Sequence, residues 1–132
     1  MELIEGIELF RAYNEPKKEI QILRENGQVL LQLFNYHSTF KIYDIGDNLG
    51  YILLIHFFRT KTNNKANYQR FIDSEYYKSF VQPKPDSKDE QDMFCTLLPK
   101  HISNHEMLTY VAGLLRDVYG KETRIVVRVN IW

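Results

Sequence analysis

The stretch from Ser103 to Trp132 constrains the fold most, because every local signal in it agrees. Ser103 and Glu106 stand in the S-x-x-E spacing of a capping box, in which each residue's side chain satisfies the other's backbone N–H at a helix start. Met107, Leu108, Val111, Leu114, Leu115 and Val118 then recur at helical spacing, and Gly120 is the stop. Beyond it, Arg124 to Trp132 alternates apolar and polar like a strand. Such a strand has to be held in a sheet, and its outward face would carry Arg124, Arg128 and Trp132.

Upstream, Leu3, Ile4, Ile7 and Phe10 predict a short amphipathic helix over 2–13, although Gly6 weakens it. Asn14-Glu15-Pro16 ends that helix. Residues 18–25 and 28–35 flank Asn26-Gly27, the strongest short signal for a hairpin, with a two-residue type I′ turn as the expected form. Phe40, Ile42 and Ile45 suggest a third strand. The run Tyr51 to Phe58 is apolar on both alternating faces, so it should be covered on both sides and lie inside the sheet. Tyr68, Phe71, Ile72, Tyr76 and Phe80 fit one helical face. Gln82 to Asp92, with Pro83, Pro85 and many charges, reads as an exposed, mobile loop. Met93 to Leu98 returns to the core as a short strand or a helical turn.

The expected fold is therefore one α+β domain over 1–132. It has a mostly antiparallel sheet of about five strands, a meander plus a C-terminal strand, with two to three helices packed on one face. A length of 132 residues suits one domain and can bury roughly two thirds of its unfolded surface.

Seventeen basic and seventeen acidic side chains cancel, so the overall field does not draw the chain to nucleic acid or membrane. The single cysteine, Cys95, excludes an intrachain disulfide framework. The opening Met1-Glu2-Leu3-Ile4-Glu5 is acidic where a secretory leader is basic, and the longest apolar run falls far short of a membrane span. These features lead to the expectation of a soluble cytoplasmic protein without a membrane partner; they leave its oligomeric state open. The nine Tyr, eight Phe and one Trp are expected mainly to fill the core and its margins.

Catalytic patterns are thin, and no catalytic residue, metal site or cofactor is assigned. His101 and His105 have metal-ligand spacing, but Ser103 as N-cap places His101 outside the helix that holds His105, so the two do not share a face. Cys95 lies six residues before His101, yet among Met93, Phe94, Leu97 and Leu98 it reads as a small buried hydrophobe. Glu15-Pro16-Lys17 and Asp86-Ser87-Lys88 lack the acid on a neighbouring strand that a magnesium nuclease needs. No glycine-rich phosphate loop is present.

Three functional readings follow. The leading one is a small protein-binding or regulatory domain without catalysis, an inhibitor, adaptor or immunity-type protein, using Arg124, Arg128 and Trp132; Arg and Trp are interface hot-spot residue types. The second is nucleic-acid contact through a basic loop at 59–70 carrying Arg59, Lys61, Lys65 and Arg70. The third is an enzyme built on His101, His105 or Cys95.

Overall fold

The computed structural model describes residues 1–13, 17–35, 50–58, 62–82 and 91–131. They form α1 (Leu3–Ala12), β1 (Lys18–Arg24), β2 (Val29–Phe34), β3 (Gly50–Phe58), α2 (Thr62–Asp73), a 3-10 turn (Tyr77–Ser79), β4 (Gln91–Pro99), α3 (Asn104–Tyr119) and β5 (Ile125–Ile131). The strands make one antiparallel sheet in the order β4-β3-β2-β1-β5, an α+β fold as the sequence predicts. The third strand expected at Phe40–Ile45 lies outside the described residues, as does most of the loop expected at 82–92.

Alternation sorts the strands into two faces. Ile20, Ile22, Leu31, Leu33, Leu53, Ile55, Phe57 and Phe94 point to the helix layer, where they meet Ile7 and Phe10 of α1, Phe71 of α2, and Met107, Val111, Leu114 and Val118 of α3. All three helices pack on this face: α1 over β1 and β5, α2 over β3, and α3 against both other helices. Phe34, Ile52, Leu54 and Cys95 form a second buried cluster on the opposite face, joined by Met93 and Leu97. That double covering explains the unbroken apolar run of β3, which lies inside the sheet between β2 and β4.

Three local expectations are revised. The hairpin forms, but its loop has three residues, Glu25, Asn26 and Gly27. The Gly27 N–H donates to the Arg24 carbonyl (2.9 Å) and the Arg24 N–H to the Gln28 carbonyl (2.8 Å). Gly27 sits at φ +90°, the positive-φ place that this three-residue turn reserves for glycine, so Asn-Gly marks the hairpin without being its two central residues. A register shift between Ile22 and Leu23 follows, at Leu30, which turns its side chain into the core.

The second revision concerns α2, which stops at Asp73 and leaves Tyr76 and Phe80 beyond it. Ser74 takes the Phe71 carbonyl with both its N–H (3.1 Å) and its hydroxyl (2.7 Å), and this tight turn ends the ladder. The third is β4, a full nine-residue strand whose pairing with the equally long β3 runs from Gln91 to Pro99. Gln91 and Asp92 thus belong to the sheet and not to a loop.

Gly6 is explained by β5. A Cβ at that position would lie 2.5 Å from Val127 Cγ1, so only glycine lets α1 sit this close to the strand.

Candidate binding surface

The helix α3 places β5. Its capping box is present as read: Glu106 N–H donates to Ser103 Oγ (3.0 Å) and Ser103 N–H to Glu106 Oε1 (3.3 Å). At its other end Gly120 caps the helix, and the turn that follows delivers the chain to β5. Tyr119 secures this corner. Its buried hydroxyl donates to the carbonyl of Leu30, the bulged residue of β2 (3.2 Å), and the Arg24 guanidinium stacks over its ring at 5.4 Å. Burial pushes the Tyr119 hydroxyl well above its ordinary pKa.

β5 then pairs with β1 along all seven residues, from Ile125 opposite Arg24 to Ile131 opposite Lys18, without a register shift. Its helix-side residues Ile125, Val127 and Val129 belong to the core or pack on it. The other parity faces outward. Val126 is 43% exposed, and Arg124 and Arg128 flank it, both exposed. Trp132, the third residue expected on this face, lies outside the described residues.

The two arginines are weakly engaged. Arg124 Nη1 is 3.9 Å from Glu25 Oε1, with the side chains 85% and 64% exposed, a pair that water screens almost completely. Arg128 sits opposite Gln21, and among the described residues it has no ion pair. The nearest buried acid on that face, Glu19, is already satisfied by the Gln32 amide (2.8 Å).

The second set of basic residues is rearranged. Thr62–Asp73 is helix, so the expected basic loop at 59–70 is largely α2, and Arg59 and Lys61 lie outside the described residues. Lys65 and Arg70 are both exposed, but five helical positions set them about 140° apart, so they do not make one row. Arg70 instead reaches the end of α3: its Nη1 lies 3.9 Å from where a Cβ of Gly120 would be. Gly120 also lines an open cleft of about 570 Å³ with Arg24, Glu25, Lys121, Glu122 and Arg124. The fold therefore brings Arg70, far away in the chain, to the Gly120 end of α3.

The His/Cys candidates differ in their access to solvent. Cys95 is wholly buried in the second cluster and cannot meet a substrate. His101 and His105 are exposed, and among the described residues no group of three His, Cys, Asp or Glu could hold a metal ion. His105 does line a cleft of about 620 Å³ between the 3-10 turn and α3, with Tyr76, Ser79, Glu106 and Tyr110. No sequence signal marked this cleft, because its walls come from two segments thirty residues apart. Ser79 Oγ donates to the Tyr76 carbonyl (2.8 Å) and lies 3.2 Å from the Tyr110 hydroxyl. Burial raises the Tyr110 pKa, and the Ser79 hydrogen bond offsets part of that.

Sequence reasoning also missed Lys18. It is buried, its ammonium donates to the Tyr13 carbonyl (2.6 Å) and lies 5.1 Å over the Phe10 ring, and so it ties the end of α1 to β1. Burial, and then the nearby Arg11 charge, lower its pKa.

No helix among the described residues is long and apolar enough to cross a membrane. No family model, no curated protein and no solved structure matches the chain.

Proposed function

We propose that this chain is a cytoplasmic, non-catalytic domain that works by binding another protein, with β5 as the seat of the partner. The observation that carries the reading is the state of β5, an edge strand among the described residues: its Val126 and Arg128 and the preceding Arg124 are exposed, and the two arginines do little for the fold. Residues that are neither buried nor firmly paired, and that belong to hot-spot types, suit an interface. An inhibitor, an adaptor or an immunity-type protein would all use such a strand. Nucleic-acid contact is less well supported, since Lys65 and Arg70 diverge around α2.

The test uses the partner itself. It is captured from the native source on the immobilised wild-type chain, identified by mass spectrometry, and titrated by calorimetry. The Arg124→Ala/Arg128→Ala double variant should keep its stability within about 0.5 kcal/mol, yet bind the partner at least about tenfold more weakly. Equal binding by the wild type and the double variant removes β5 as the seat.

A further inference from the structure

We infer that what seats on β5 is an extended acidic segment of the partner protein, added antiparallel or parallel as a sixth strand along the outer edge; this rests on the reading of β5 as the partner's seat. The backbone supplies the first reason. β5 is hydrogen-bonded to β1 on one side only, and among the described residues no strand pairs with its other side. An edge of this kind presents a row of free N–H and C=O groups that another strand can complete.

Three devices that commonly blunt an edge, proline, lysine and a bulge, are absent from the described strand Ile125–Ile131. The opposite edge of the same sheet is guarded: Val81 bridges to Cys95 on β4, with N–H to carbonyl bonds of 2.8 and 2.9 Å.

Charge selects the occupant. Arg124, the residue just before β5, and Arg128 are both exposed, and extended backbone sets them about 13 Å apart with the exposed Val126 between them. A strand offering acid, apolar and acid side chains at alternate positions matches that row. Arg24, Lys121 and the Arg70 guanidinium add positive charge at the end where β5 begins, against Glu25 and Glu122.

A second copy of the chain matches poorly. Two β5 strands paired about a two-fold axis perpendicular to the sheet keep the same face outward, so every register centred between Arg124 and Arg128 sets arginine opposite or diagonal to arginine. Like charges in those positions repel.

The probe is a labelled peptide of about nine residues with the central pattern Glu-Thr-Val-Thr-Glu. It is compared with its Lys-Thr-Val-Thr-Lys counterpart and with two acidic peptides N-methylated on alternate residues. Fluorescence anisotropy at low salt should show the acidic peptide binding about tenfold or more tightly than the lysine one. Arg124→Glu/Arg128→Glu should reverse that order. One methylated set should lose binding and the other keep it, because only alternate N–H groups face the edge, and amides of β5 should gain protection from hydrogen exchange.

Equal affinity for both charges, or binding by both methylated peptides, overturns strand addition by an acidic segment. So does a β5-mediated dimer seen in sedimentation. No peptide binding, alongside a natural partner that still depends on Arg124 and Arg128, also overturns it and leaves the reading of β5 as a seat intact. A natural partner indifferent to both arginines ends that earlier reading instead.

Discussion

The two long edges of the sheet are finished in different ways. At the β4 edge, Val81 closes the backbone at Cys95, and both faces of the strand are covered. Phe94 points into a ring cluster with Phe57, Tyr68, Phe71 and Tyr77 at centroid distances of 5.1 to 6.5 Å. At the β5 edge, one face is core and the other is left to water, carrying arginines that the fold does not use. Stability and availability are thus assigned to opposite ends of one sheet. The contrast is what makes β5 a candidate for binding, since exposed charge alone is ordinary for a surface strand.

The contrast can be tested through what each edge contributes to stability. The largest loss should come from the closed edge. Phe94→Ala removes a buried ring from the aromatic cluster and should cost about 3–5 kcal/mol in urea unfolding; a loss below about 1 kcal/mol would show that the β4 edge is not held by this cluster. On the β5 side the strand is held by its pairing with β1 and by its inner face. Gly6→Ala drives a methyl group against Val127 Cγ1 and should cost about 1–3 kcal/mol, with the first hydrogen-exchange protection lost in β5. An unchanged midpoint would mean that α1 can back away from the strand freely.

The smallest effect concerns the second face near β4, where His56 stands opposite Met93. Burial holds the His56 imidazole below its ordinary pKa of 6.5. The unfolded chain therefore takes up this proton at a higher pH than the folded one, so the stability it supports is full above that value and falls as pH drops through it. Urea midpoints should decline between about pH 7 and pH 5, and His56→Gln should flatten the decline. An identical slope in the variant would remove His56 as its source.

Much of this fold is legible residue by residue. Ser103 with Glu106, Gly120, Asn26-Gly27 and the alternation of β1, β2 and β5 act within a few residues of themselves. Their physics is local: a cap, a turn dihedral, a side chain pointing up or down. The candidate surface is partly legible for the same reason, since parity alone puts Arg124 and Arg128 on one face of β5. The errors sit where local preference meets a competitor. The aromatic spacing of Tyr76 and Phe80 continues a helix that Ser74 has already ended, and the expected basic loop is drawn into α2.

What the linear chain determined by itself is its set of elements, their faces and their ends, because hydrophobic period and capping are properties of short segments. Which strand lies beside which was decided by tertiary packing. Nothing in Ile125–Ile131 states that it pairs with β1 and leaves its other side open, or that Val81 returns to close β4. Those choices depend on where three helices can bury their apolar stripes together on one face. The same packing buried Cys95 and brought Arg70 to Gly120 at the end of α3, because residues distant in sequence meet only when a shared core places them.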